Sequence, residues 1–551
     1  MSVTHYICKY TPLELLRAFG GECVLLNEMP ASFDLSDQVS HPNICGFGKA
    51  LLECCLEGKV EELVLVNCCD TIRSAYDVLR ESGKLKFLFL LDVLRGNDSC
   101  SRERTKRELL RLAGAYGAYR GTTFDLQKFL GAFEKKERPK EPYISVLGAR
   151  VGDELFQMME QTMPLPLQND TCVNNRSVCA PEAAAGLDFD GLMEWYAGEL
   201  LSQMPCMRMT DVAGRKQLVN DPHLKAVIYH TVKFCDYYGF EYAELRKTLQ
   251  VPLLKLESDY TMQSSGQLRT RLEAFAESVS PDITVQERKK TMNGKGFYVG
   301  IDSGSTSTDV VILDQNCKIV SAVILPTGAG AAAGADRALE QALQEAHLTR
   351  EDLTATVTTG YGRTAIQNGD KSITEITCHA KGAFFLDPDV RTIIDIGGQD
   401  SKVIRIDDTG NVVNFVMNDK CAAGTGRFLE LMARTLELSM EEMSTLGLRW
   451  NEEITISSMC TVFAESEVVS LIAQDKTAAD IVHGLNESVA AKTCALVKRV
   501  GGAEAYMMTG GVSKNRGVVE SIERRLGIKL RVSDAAQLNG ALGAALFAKE
   551  L

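Results

Sequence analysis

Residues 296–314, GFYVGIDSGSTSTDVVILD, read as an apolar strand, a turn of glycine and hydroxyl residues, and a second apolar strand. Residues 391–407, RTIIDIGGQDSKVIRID, repeat that plan around a glycine pair. In each the first strand carries an aspartate, Asp302 or Asp395, into the turn. Two hairpins of one pattern predict a duplicated fold that binds phosphates between its halves. The first turn offers backbone N–H groups and hydroxyls from Gly304, Ser305, Thr306 and Ser307, which suits a polyphosphate. It is not a Walker A loop, because no Gly-Lys-Ser/Thr follows. In the second, Gly397 and Gly398 let the backbone approach a ligand, and Lys402 follows close by. Asp302 and Asp395 can hold Mg²⁺ through water, and Gln399 is placed to orient an attacking water.

A third element, Met508 to Asn515 (MTGGVSKN), follows a short apolar strand and places Gly510, Gly511 and Asn515 against an adenosine. Three such elements in this order predict the actin, sugar-kinase and Hsp70 type of ATPase core. The Gly/Ala run at 328–343 reads as a loop feeding a helix.

The rest of the chain is read outward from this core. With 551 residues, two or three domains are expected. Apolar residues at 45% and charged residues at 24% suit a folded protein. A net charge of −13 argues against a nucleic-acid binder. No apolar run reaches the length of a membrane span, and MSVTHYICKYTPLELLRAFGG lacks the marks of a signal peptide. A cytoplasmic protein is expected. Residues 279–295, mixing Pro, Gly and charges, read as a linker between residues 1–278 and 296–551. Before the linker, apolar runs at 62–67, 86–94, 143–148, 226–234 and 251–260 each precede a helix-like stretch. That alternation predicts parallel α/β layers in two halves that meet near residue 142. The fold class is therefore α/β: a Rossmann-like pair followed by the actin-like ATPase.

Seventeen cysteines are many for a reducing compartment. Cys421 opens CAAGTGRFLELMARTLE, and Cys460 lies in ISSMCTVFAESEVVSL at a strand-to-helix transition. Helix N-termini favour thiolate, so both suit metal ligation. Two ligands are too few for a [4Fe–4S] cluster, but a symmetric dimer supplies four. Buried or merely reactive cysteines are the alternative. Cys69, Cys172 and Cys235 each follow a predicted strand, where α/β folds assemble their sites. Cys45 opens a helix-like run in the same way. His379, His41 and His230, each a single histidine without spaced partners, read as structural hydrogen-bonders.

The stretches YVGIDSGSTST, ITEITCHAKGA, DIGGQDSK, NDKCAAGTGRFLE, SSMCTVFAESE, MTGGVSKN and LNGALGAAL resemble the activators of 2-hydroxyacyl-CoA dehydratases and benzoyl-CoA reductases. That resemblance spans 296–551. It implies an ATP-driven reductase whose Cys421 and Cys460 share one [4Fe–4S] cluster across a homodimer. Residues 5–278 resemble, more loosely, the cluster-bearing subunits of 2-hydroxyacyl-CoA dehydratases and the double-cubane cluster proteins. CKYTPLELLRAFGGECVLL, CCDTIRSAYDVL and KFCDYYGFEYAELRKTLQVPLLKLESDY carry it. The pattern implies Cys45, Cys69 and Cys235 as first ligands, with Cys172 and Cys206 next and Cys68 competing with Cys69. Cys8, Cys23, Cys54, Cys55, Cys100 and Cys179 read as non-ligands. Three ligands suit a [4Fe–4S] cluster with an open iron, and six a double-cubane [8Fe–9S] cluster.

The expectation is an enzyme that binds ATP and Mg²⁺. It passes electrons from the dimer-bridging cluster to an N-terminal cluster, for reduction of a small molecule or a 2-hydroxyacyl-CoA. Its donor would be ferredoxin or flavodoxin; no nucleic acid or membrane partner is expected. The rivals are a sugar or metabolite kinase, which gives Cys421 and Cys460 no task, and a redox-responsive ATP sensor.

Overall fold

The computed structural model describes residues 3–134, 138–179, 186–261, 265–279, 296–367, 369–418, 422–456 and 460–551. The chain divides into two compact units, Met1–Val279 and Ser280–Leu551. Residues 280–295, in the stretch read as a linker, lie outside the described residues.

The first unit holds two sheets of four strands each. β1 (Val3–Tyr6), β2 (Glu22–Leu25), β3 (Glu62–Val66) and β4 (Phe87–Leu91) lie in the order 2-1-3-4. β5 (Tyr143–Gly148), β6 (Leu167–Asn169), β7 (Leu224–Val232) and β8 (Leu253–Ser258) lie in the order 6-5-7-8. All pairings are parallel, so both halves follow one Rossmann-like plan. β3 and β5 are buried at every position, as central strands covered on both faces require. Strand order reverses between β1 and β3, and again between β5 and β7. Loops leaving the carboxyl ends beside such a reversal open a crevice. Cys8 follows β1, Cys68 and Cys69 follow β3, Cys172 follows β6, and Cys235 follows β7.

His230 on β7 is buried and meets Ser258 Oγ of β8 at 2.9 Å, a structural role. Burial lowers its pKa from 6.5 to about 4. The folded value lies below the unfolded one, so the stability from keeping the ring neutral is complete above pH 6.5 and is lost as pH falls towards 4. At 1.36 kcal/mol per pKa unit the loss is about 3 kcal/mol. Urea midpoints between neutral pH and pH 4 should therefore fall less steeply in His230→Gln than in the parent. Parallel slopes would refute this assignment.

The second unit holds two five-stranded sheets of one design. β9 (Phe297–Ser303), β10 (Ser307–Leu313), β11 (Ile319–Pro326), β12 (Leu353–Thr359) and β13 (Lys371–Ser372) lie in the order 11-10-9-12-13. β14 (Thr392–Ile396), β15 (Ser401–Ile406), β16 (Val412–Asn418), β17 (Tyr506–Thr509) and β18 (Leu530–Arg531) lie in the order 16-15-14-17-18. In each, three strands form an antiparallel meander and two more join in parallel. This duplicated sheet is the actin-like ATPase fold. The Gly/Ala run feeds the helix Ala331–Ala346.

The chain passes between the two sheets twice, at residues 387–391 and 532–538. Arg531, the last residue of β18 before the second crossing, pairs with Asp387 and lies 3.8 Å from Asp389 in the first. The helix Asn539–Glu550 follows the second sheet in sequence yet packs on β9 of the first. Gly300 makes that approach possible, since a Cβ there would lie 1.9 Å from the carbonyl oxygen of Ala541.

Candidate functional site

A cavity of about 570 Å³ opens between the hairpin turns of the two sheets. It is lined by Asp302, Gly304, Ser305, Thr306, Ser307, Asp395, Gly397, Gly398, Lys402, Gly510, Gly511 and Asn515, all nominated by the sequence. Gln399 is exposed and stands outside that lining. The two turns touch: a Cβ on Gly398 would lie 2.1 Å from Thr306 Oγ1. Gly510 adopts φ +81°, which turns the chain after β17 against the carbonyl of Ile396.

The further side chains in the cavity wall include Asp309, Glu375, His379 and Asp400. His379 lies between the two hairpins, with Nδ1 3.5 Å from Asp395 Oδ1 and Nε2 3.8 Å from Asp302 Oδ2. Its only sequence signal is its position in ITEITCHAKGA, on the buried face of the helix Glu375–Leu386. Burial lowers its pKa, against the pull of Asp395. Lys402 Nζ lies 2.8 Å from Asp400 and 3.2 Å from Asp395. Burial pulls Lys402 down, but Asp400, Asp395 and Glu375 outweigh it and keep the lysine charged. Burial likewise pushes Asp395 up, while His379, Lys402 and Thr509 together hold it below its usual value. Asp302 is driven well above the carboxylate range by burial and then by Asp309, and burial brings Asp309 itself to about 7. Of these three aspartates Asp395 is thus the one held below its usual value, while burial raises Asp302 and Asp309 and a bound cation would favour their ionised forms.

Its polar atoms fit a magnesium nucleotide. Thr306 Oγ1, Asp309 Oδ1, Glu375 Oε1 and Asn515 Nδ2 are buried without a hydrogen-bond partner among the described residues. Such atoms are costly to leave unpaired, and phosphate oxygens, a hydrated cation and a ribose complement them.

Cys460 caps the N-terminus of the helix Thr461–Ala473 and is exposed. Beside it Val462 and Phe463 are 65% and 69% exposed, and Val469 and Ile472 continue the apolar surface. Cys421 lies outside the described residues. The helix that follows it, Gly426–Thr435, starts on the second glycine turn: Gly426 N–H donates to Gly397 O at 2.8 Å and Arg427 N–H to Gly398 O at 2.9 Å.

In the first unit the five nominated cysteines share one neighbourhood. Cys45 caps the helix Gly46–Leu56, its Sγ accepting from Gly48 N–H at 3.4 Å, and Cys69 caps the helix Asp70–Ser82. Gly46 N–H reaches Lys233 O, which brings Cys45 beside Cys235. Cys235, pushed up to about 12 by burial, also feels Cys45, Cys172 and Cys69. Cys172 feels Cys206 and Cys8. Cys8, read from sequence as a non-ligand, therefore joins the group. Cys68 links it to Cys69: hydrogen bonding with Cys68 brings Cys8 down to about 6 and Cys69 to about 7, while Cys68 itself is raised. Among the described residues no three His, Cys, Asp or Glu side chains are arranged to hold a single metal ion. A polynuclear cluster spreads its thiolates farther than one ion does, and seven thiols beside the buried cations Lys9 and Arg208 match its negative charge. No helix among the described residues is long and apolar enough to cross a membrane.

Residues 299–548 match the model of the BadF/BadG/BcrA/BcrD ATPase family, and residues 8–167 and 132–279 match that of the 2-hydroxyglutaryl-CoA dehydratase D-component. The activator of lactoyl-CoA dehydratase from Anaerotignum propionicum is 49% identical over 254 residues, 46% of this chain and 98% of that protein. The (R)-2-hydroxyglutaryl-CoA dehydratase activating ATPase from Acidaminococcus fermentans is 46% identical over 253 residues, 46% of this chain and 96% of its own. The crystal structure of component A of the A. fermentans dehydratase, 45% identical, covers 46% of this chain and 98% of that chain with a TM-score of 0.45. The chain thus belongs to the BadF/BadG/BcrA/BcrD ATPase family, an ATP-hydrolysing enzyme with a dehydratase D-component-like region ahead of its ATPase in the same polypeptide.

Proposed function

We propose that this protein is an ATP-dependent reductase that activates its own N-terminal cysteine site. A homodimer would hold one [4Fe–4S] cluster through Cys421 and Cys460 of each copy, and that cluster supplies single electrons. The observation that carries the reading is the pair of hydrogen bonds from Gly426 and Arg427 to Gly397 and Gly398. The helix after Cys421 is hung from the turn that faces the nucleotide, so a shift of that turn on hydrolysis moves a cluster ligand's support.

In this reading Asp395 and Asp302 position the hydrated Mg²⁺, and Lys402 balances charge between Asp395 and Asp400. Asn515 orients the nucleoside, and Gln399 turns inward to place the attacking water once nucleotide binds. The exposed Val462 and Phe463 beside Cys460 support a second copy as the partner, because burying them closes water away from the shared ligands. Cys45, Cys69, Cys235, Cys172 and Cys206, with Cys8 and Cys68, would hold the acceptor cluster, [4Fe–4S] or double-cubane [8Fe–9S]. The donor would be ferredoxin or flavodoxin, and the final acceptor a small molecule or a 2-hydroxyacyl-CoA. ATP is needed because the transfer is uphill, at about 2.3 kcal/mol per 100 mV for one electron. A kinase of the same fold has no use for an exposed Cys460 at a helix cap.

The test is anaerobic reduction followed spectroscopically. Dithionite should reduce the N-terminal site only while MgATP is being hydrolysed, and a non-hydrolysable analogue should allow at most one transfer. Equal rates with and without nucleotide would overturn the reading in favour of a sensor.

A further inference from the structure

Unpartnered polar atoms gather where the segment after β1 meets the loop that bears Cys206. Thr11 Oγ1, Gln203 Oε1, and Nε and Nη2 of Arg208 are buried there without hydrogen-bond partners among the described residues. Arg208 is only 6% exposed. Its Nη1 donates to Asn67 O at 3.2 Å and to Val93 O at 3.1 Å, which fixes the guanidinium across the ends of β3 and β4. Its charge partners, largest first, are Cys8, Cys206 and Cys68. Lys9 is the contrast: its Nζ donates to Asn175 Oδ1 at 2.8 Å and to Met204 O, so its hydrogen bonds are engaged within the protein. A guanidinium serving only as a bracket would use its other nitrogens on carbonyls. Leaving them bare in the interior costs about 1–3 kcal/mol.

We infer that Arg208 donates Nε–H and Nη2–H to the sulfurs of Cys8 and Cys206 when these ligate the N-terminal cluster, and thereby sets the potential at which it takes up an electron. The inference rests on the reading of these cysteines as ligands. One electron enters, taken from the dimer-bridging cluster, which is oxidised by one; no bond breaks and no proton is required. The added electron raises negative charge on the sulfurs, and a fixed cation with two N–H groups stabilises that charge more than the oxidised state's. Arg208 is a positioning residue in this role: it tunes the electron acceptor through its ligands.

The experiment uses the full-length chain carrying Cys460→Ser, so that the N-terminal site supplies the redox signal. Parent, Arg208→Lys and Arg208→Gln are compared by iron and sulfide content and by a mediated redox titration read by electron paramagnetic resonance, with a europium(II) chelate, a stronger reductant than dithionite, reaching the N-terminal site directly. All three should hold equal iron. Arg208→Gln should lower the equilibrium constant for one-electron uptake at least tenfold, a fall of about 59 mV in midpoint. Arg208→Lys should fall between, because an ammonium keeps the charge and loses the planar fork. Equal midpoints overturn the inference. If Arg208→Gln loses iron, Arg208→Lys decides: a lowered midpoint supports the inference and an unchanged one overturns it. A parent whose iron is indifferent to Cys45→Ser and Cys69→Ser overturns the cluster reading itself, and this inference with it.

Discussion

Asp395→Asn slows ATP turnover by about a hundredfold or more and leaves nucleotide affinity nearly unchanged. The substitution keeps the shape of the side chain, and Lys402 retains Asp400 at 2.8 Å. What it removes is a carboxylate that His379, Lys402 and Thr509 hold below its usual value against burial. A group that positions metal and water acts mainly in the transition state, so its loss appears in kcat far more than in binding. Steady-state phosphate release and equilibrium binding of a fluorescent nucleotide separate the two. Asp302→Asn should act in the same direction, because Asp302 must lose its proton before its carboxylate can hold the hydrated cation. Turnover unchanged in both variants would mean that the paired hairpins are not the phosphate site.

Cys460→Ser should remove the bridging cluster outright and shift the protein from dimer to monomer. The proposed ligand Cys460 stands at an exposed helix cap, and Val462 and Phe463 beside it are exposed. Losing one ligand per copy takes two of four from a cluster on a two-fold axis. Nucleotide binding should survive, because Cys460 does not line the cavity. Iron content, sedimentation and nucleotide affinity measured on the same sample decide the matter. A variant that stays dimeric with its full iron would exclude Cys460 as a ligand.

Much of this architecture is legible in the sequence, for a local reason. The apolar runs in FYVGIDS and STDVVIL announce β9 and β10, and YISVLG is β5 residue for residue. The duplicated sheet order is not legible, because it depends on pairings between distant strands. β13 and β18 have two residues each, too few for any period to show. β1 and β2 are four residues long, VTHY and ECVL, and mix polar with apolar positions. That has a direct effect on the site. Cys8 becomes a strand-end residue only once β1 is seen, whereas Cys45, Cys69 and Cys460 advertise themselves by opening helices. His379 reads from sequence only as a structural hydrogen-bonder for a similar reason: its two aspartates lie on different hairpins, and only the folded chain brings them to it.

The two crossings between the sheets carry a further consequence. A body tethered at a single point can swivel in any direction, whereas one tethered at two separate points can turn only about the line through them. Residues 387–391 and 532–538 are two such tethers, so opening and closing of the cavity has a single axis laid down by the chain path. Direction and stiffness then have separate origins. The axis comes from where the chain crosses, and resistance to turning comes in part from Arg531, the last residue of β18 before the second tether, and its pair with Asp387 in the first. Arg531 is well exposed, so dissolved salt screens that contact. Ionic strength should therefore change how easily the cavity opens without changing which way it opens.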